Sequence, residues 1–162
     1  METYTWSAAN PTTTGSPPAV TATNNAGLTS SGTNTTNPFA MVADSTAPVN
    51  NLSLSGQSGG GSYLSGTTVY YHGSVAGSLT ITNALTDTGG SGPASSSFPA
   101  LSGTATGWTH SASGTVSTPT GGPYVSTTFS WSASTTSSPT EVVTGTDNVG
   151  KRSPSRTTPR SR

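Results

Sequence analysis

The stretch Leu79-Thr80-Ile81-Thr82-Asn83-Ala84-Leu85-Thr86-Asp87-Thr88-Gly89-Gly90-Ser91-Gly92-Pro93 decides the fold. Leu79, Ile81 and Leu85 share one parity, interrupted by Asn83, while Thr80, Thr82 and Thr86 hold the other. A period of two places the apolar side chains on one face of a sheet and the threonines on the opposite face. Threonine suits that outer face because its β-branch favours an extended backbone. The alternation ends in Gly89–Pro93, where glycine supplies positive φ and proline fixes φ, so strand pairing stops.

Working outward, Leu52 and Leu54 alternate in the same way, as do Val69 and Tyr71. Val125, Phe129, Trp131 and Ala133 share one parity and are expected on one face. Gly59-Gly60-Gly61 and Gly121-Gly122-Pro123 punctuate the runs. About seven strands at roughly 8–15-residue spacing between Asn50 and Gly150 predict an all-β, antiparallel sandwich.

Composition narrows the function classes. The 162 residues include 33 Thr and 29 Ser but only 7 Leu, 10 Val, 3 Phe and 1 Ile, and 6% are charged. Helix formers are scarce and no apolar run of ~18 residues exists, which excludes coiled coils, helical bundles and membrane-spanning helices. Cysteine is absent, so there is no disulfide framework, thiolate metal site or thiol nucleophile. The N-terminus has neither a basic nor an apolar leader region, so a signal peptide is not expected within this chain.

The formal charge of zero hides a segregation. All five acids (Glu2, Asp44, Asp87, Glu141, Asp147) precede all five bases (Lys151, Arg152, Arg156, Arg160, Arg162). The absence of Lys and Arg from residues 1–150 argues against a nucleic-acid partner. A basic arm for anionic surfaces is one reading of residues 151–162. The favoured reading is a disordered tail foreign to the preceding sequence, because the composition changes at a single residue.

That change falls inside an internal repeat. Tyr4-Thr5-Trp6-Ser7-Ala8 returns as Phe129-Ser130-Trp131-Ser132-Ala133, an offset of 125. Val20-Thr21-Ala22-Thr23-Asn24-Asn25-Ala26-Gly27 returns as Val143-Thr144-Gly145-Thr146-Asp147-Asn148-Val149-Gly150, an offset of 123. A period this long fits whole domains in tandem and not a solenoid unit. Residues 1–43 are therefore expected to be the closing strands of one repeat, ending in a strand at Phe39–Ala43. Residues 44–150 form the next repeat. With no apolar alternation after Gly150, that repeat is expected to lack its last strand.

Asp44-Ser45-Thr46-Ala47-Pro48, the loop Thr86-Asp87-Thr88-Gly89-Gly90-Ser91-Gly92-Pro93-Ala94, and Asp147-Asn148-Val149-Gly150 together resemble the tandem Ig-like repeats of large bacterial surface and secreted proteins of the adhesin or stalk type. The resemblance covers about residues 1–150. It implies an Ig-like sandwich and an extracellular or cell-surface location. It further implies a non-catalytic spacer whose partners are neighbouring repeats, without membrane insertion. Two alternatives stand beside it: a module binding carbohydrate or another cell-surface component, and an incomplete reading frame with no independent function.

The titratable pool is small. His72 lies beside Tyr70 and Tyr71, His110 lies close to Trp108, and no Gly-x-Ser-x-Gly elbow is present. Both histidines read as half-exposed strand residues, so no catalytic or cofactor-binding residue is expected. Asp44, Asp87 and Asp147 each lie in a Gly-, Asn- or Pro-rich loop, where carboxylates and carbonyls could gather around calcium. Their density is below that of a dedicated calcium loop, and turn capping is the favoured role. Tyr63, Tyr70, Tyr71, Trp108 and Tyr124 could build a sugar-stacking platform, whereas Trp6 and Trp131 read as core.

Overall fold

A computed structural model of the chain describes residues 19–33 and 42–161. The chain divides into two compact units, Met1–Asp44 and Ser45–Arg162. The expected strand containing Tyr4, Trp6 and Ala8 lies outside the described residues, as does most of Phe39–Ala43.

In the first unit, β1 (Ala19–Thr23) and β2 (Thr29–Thr33) form an antiparallel hairpin. Its turn is fixed by Asn24, whose Oδ1 accepts from the amides of Ala26 and Leu28, both at 3.0 Å. Gly27 closes the turn at φ 78°, a region open to glycine without steric cost.

The second unit is an all-β sandwich. One sheet contains β3 (Leu52–Gly59), β6 (Gly77–Asn83), β8 (Trp108–His110), β10 (Tyr124–Val125) and β11 (Phe129–Trp131). Its centre is β6, paired with β3 on one side and with β10 and β11 in succession. The other sheet runs β4 (Ser62–Ser65), β5 (Thr68–Tyr71), β13 (Arg152–Ser161), β12 (Glu141–Asp147), β7 (Pro93–Phe98) and β9 (Gly114–Val116). Among the described residues no helix is long and apolar enough to cross a membrane.

The alternation read from Leu79 and Ile81 puts both side chains in the core, and Leu85 joins them just beyond β6. Asn83, which breaks the apolar pattern, is fully buried and ties parts of the sandwich together. Its Nδ2 donates to Asn50 Oδ1 at 2.7 Å and Ser96 Oγ at 2.8 Å, and its Oδ1 accepts from the Asn51 amide at 3.0 Å. Burial of that amide is tolerated because its hydrogen bonds are made.

Four expectations are corrected. The region from Asn50 to Gly150 holds ten short strands, β3 to β12, where about seven were expected. Irregular backbone between β10 and β11 shifts the parity, so Tyr124 is buried while Val125 faces solvent, and Ala133 is exposed because β11 ends at Trp131. The sandwich is not purely antiparallel, because β13 pairs in parallel with β5.

The fourth correction concerns the basic segment, which is a strand and not a disordered tail. Arg152–Thr157 pair antiparallel with β12 and Thr158–Ser161 pair parallel with β5. Each half of β13 thus has one registered partner, so Pro154 and Pro159 interrupt a one-sided ladder, where proline is tolerated. Small inward residues replace the missing apolar ones: Thr157 and Pro159 are buried, while Arg152 and Arg160 are exposed. Asn50 Nδ2 adds hydrogen bonds to the Ser153 carbonyl and, at 3.1 Å, to Ser155 Oγ. A strand therefore does follow β12 in the second unit.

Candidate functional site

The aromatic residues go mostly to the core. Tyr71, Trp108 and Trp131 form a three-way cluster with ring centroids 4.9, 5.3 and 5.2 Å apart. Two of their polar ends are satisfied by backbone: Trp131 Nε1 donates to the Val75 carbonyl at 2.8 Å, and Tyr71 OH donates to the Ser137 carbonyl at 2.7 Å. Tyr124 is fully buried as well. The five-residue sugar platform therefore does not form, because Tyr71, Trp108 and Tyr124 supply burial that few other residues can provide. What is left outside is Tyr63, 66% exposed, opposite the half-buried Tyr70 in the β4–β5 register. Tyr63 borders an open groove of about 310 Å³ lined also by Leu52, Leu54, Gln57 and Leu64.

The histidines separate. His72 is exposed at the end of β5. The His110 side chain is buried, contrary to the half-exposed position expected for it. Its ring stacks on Phe129, with centroids 3.6 Å apart and planes at 8°. His110 Nε2 lies 3.7 Å from Glu141 Oε1, and neither that nitrogen nor either Glu141 oxygen has a hydrogen-bond partner. Burial pushes the Glu141 carboxyl up to about 8 and lowers the His110 pKa. Both shifts favour neutral forms, so the two groups are neighbours at neutral pH and not an ion pair. Glu141 lines, with Val69, Leu79, Ile81, Leu101, Trp108 and Pro159, a cavity of about 10 Å³, on the order of one water. An acid and an imidazole are the ingredients of general acid–base chemistry, but this cavity admits no substrate.

Two of the three aspartates, Asp87 and Asp147, come together within the sandwich unit. Asp87 follows β6 and caps its own loop: Oδ1 accepts from the Gly89 amide at 2.8 Å, and Oδ2 from the Gly92 amide at 2.7 Å and Ser91 Oγ at 3.2 Å. Asp147 ends β12 and caps the hairpin into β13, its Oδ1 accepting from the amides of Val149 at 3.0 Å and Lys151 at 2.8 Å. Asn148 joins the two loops through its amide and side chain, which donate to the Gly92 carbonyl at 3.0 Å and the Ser91 carbonyl at 2.8 Å. A carboxylate oxygen of Asp87 and one of Asp147 lie within 4.8 Å of each other, whereas Asp44 belongs to the first unit. Turn capping, the favoured role, is what Asp87 and Asp147 do; their approach to each other was not readable from loops separated along the chain.

Asp147 also repeats the geometry of Asn24. Both side-chain Oδ1 atoms accept from the second and fourth following amides, and both backbones close the same pair of turn hydrogen bonds. Gly150, at φ 89°, matches Gly27. Compared with known proteins, the chain matches no family model and no curated sequence.

Proposed function

We propose that the chain is a non-catalytic structural spacer of a bacterial surface or secreted protein, built from tandem sandwich repeats of Ig-like type. The observation that carries this reading is the recurrence, 123 residues apart, of one capped hairpin turn at Asn24–Leu28 and Asp147–Lys151. A stalk gains length from copies of one unit, whereas a dedicated site needs only one copy. The core also absorbs Tyr71, Trp108, Tyr124, His110 and Glu141, the side chains best suited to ligand chemistry. The resemblance of the Asp44–Pro48, Thr86–Ala94 and Asp147–Gly150 segments to bacterial Ig-like repeats supports the same assignment.

A second reading, a carbohydrate- or surface-binding module, draws on Tyr63 and the groove beside it. Single-molecule pulling on the full chain tests the spacer directly. A spacer is expected to give a discrete unfolding event releasing roughly 400 Å of contour; smooth extension without one contradicts it. Glycan-array binding abolished by Tyr63→Ala would favour the second reading instead.

A further inference from the structure

We propose that the outer face of the six-stranded sheet binds a linear acidic polysaccharide. The proposal goes beyond the spacer reading, does not rest on it, and begins with the facing of β13. Thr157 and Pro159 are buried, whereas Arg152 and Arg160, of the opposite parity, are exposed. Arg156 occupies a position of that same parity, opposite Val142 of β12. Four-residue steps along an extended strand set these three positions roughly 13 Å apart in one line. All basic residues of the chain lie in β13 and its two flanking positions. The two acids within the strands of this sheet, Glu141 and Asp147, occupy buried inward positions of β12. The outward positions of the six strands thus carry positive charge and no carboxylate.

The neighbouring strands complete the chemistry. Tyr63 stands opposite Tyr70 in the β4–β5 register, and Tyr70 stands opposite Arg160 in the β5–β13 register. Because Val69 and Tyr71 face the core, this row of Tyr63, Tyr70 and Arg160 crosses three strands on the outer face, about 4.8 Å per step. A tyrosine offers an apolar ring face to the carbon-bound hydrogens of a sugar and a polar tip to its hydroxyls. Arginine grips a carboxylate through two parallel N–H bonds. On the far side of β13, Thr144 and Thr146 pair with Ser97 and Ser95 at outward positions. Hydroxyls that both donate and accept suit a polyol. An isolated acidic sugar meets one arginine, whereas a polymer lying along β13 meets several at once, so the repeated charge favours the chain form. Nucleic acid fits less well. The tyrosines sit at one end and do not interleave with the arginines, and three arginines fall short of the roughly 6–10 phosphate contacts of duplex binders.

The test is calorimetric titration of the full chain with polygalacturonate, and in parallel with neutral dextran, single-stranded DNA and phosphatidylglycerol vesicles. The expected result is saturable binding of polygalacturonate, at least about tenfold tighter than that of DNA or vesicles, and none of dextran. Raising salt from about 50 to about 300 mM should weaken it about tenfold or more. Arg152→Gln and Arg160→Gln should each cost about fivefold or more, and Arg160→Lys, which keeps the charge but loses the fork, should cost less. Tyr63→Ala should cost about threefold or more. Both arginines are exposed, and an unchanged circular dichroism spectrum certifies each variant. The carbohydrate-module reading shares Tyr63 but uses a groove with no charged lining. Loss of binding with Tyr63→Ala alone, the arginine variants binding normally, would therefore overturn this proposal and leave that reading standing. Absence of polygalacturonate binding would overturn it as well, as would equal or tighter binding of DNA or vesicles.

Discussion

His110 Nε2 and Glu141 Oε1 face each other at 3.7 Å inside the sandwich, with both side chains closed off from solvent. The pair joins β8 of one sheet to β12 of the other, and Thr157 and Pro159 of β13 line a small cavity together with Glu141. The C-terminal strand thus covers the one buried acid–imidazole contact among the described residues.

That contact makes stability depend on pH. The Glu141 pKa rises on folding from 4.5 to about 8, so its contribution is complete below 4.5 and is lost as pH climbs towards 8. The His110 pKa falls on folding, so its contribution is complete above 6.5 and is lost as pH drops below that value. The two slopes oppose each other between pH 4.5 and 6.5, and only the Glu141 slope remains from 6.5 to about 8. Urea unfolding should therefore show stability falling by about 1–2 kcal/mol between pH 6.5 and 8. Glu141→Gln should remove most of that slope; an unchanged slope in the variant would exclude Glu141 as its source.

Asn83 carries a second prediction. Its three hydrogen bonds satisfy Ser96 Oγ, Asn50 Oδ1 and the Asn51 amide, with Asn83 itself fully buried. Asn83→Ala should cost about 2–4 kcal/mol in urea unfolding, because partners are orphaned and a cavity is opened. Asn83→Asp should be no rescue, since a carboxylate cannot supply the Nδ2 donors.

Gly77 offers a third. A Cβ at this position would run into the indole ring of buried Trp131. Gly77→Ala should lower stability by about 1–3 kcal/mol. It should also perturb tryptophan fluorescence, because Trp131 sits in the aromatic cluster with Tyr71 and Trp108. A neutral result would mean that the strand edge at Gly77 moves freely, contrary to its place in the register with Trp131 and Gly59.

The sequence legibility of these features follows physical range. Leu79, Ile81, Phe129 and Trp131 announce their burial through parity, because a strand's facing is a local property. Asn83 interrupts that parity, yet its burial depends on Asn50, Asn51 and Ser96 arriving from elsewhere. His110 and Glu141 meet across two sheets with no motif linking them. Asp87 and Asp147 are visible as loop residues, but their approach is set by which loops share one end of the sandwich. The strand at Arg152–Ser161 was hidden for a compositional reason. Its inward positions are Ser153, Ser155, Thr157 and Pro159, which carry no apolar alternation although the strand lies between β12 and β5.

That strand is central to the sheet, since without it β12 and β5 each lose one of their two pairing partners and Glu141 loses its cover. Every Lys and Arg of the chain lies within residues 151–162, so trypsin reports on this segment alone. In the folded protein, cleavage after Arg156 should be slow and should accelerate only at the urea concentration where the whole sandwich unfolds. Cleavage at Arg156 at the rate of an unstructured peptide, in buffer that leaves the circular dichroism spectrum of the fold intact, would contradict the account.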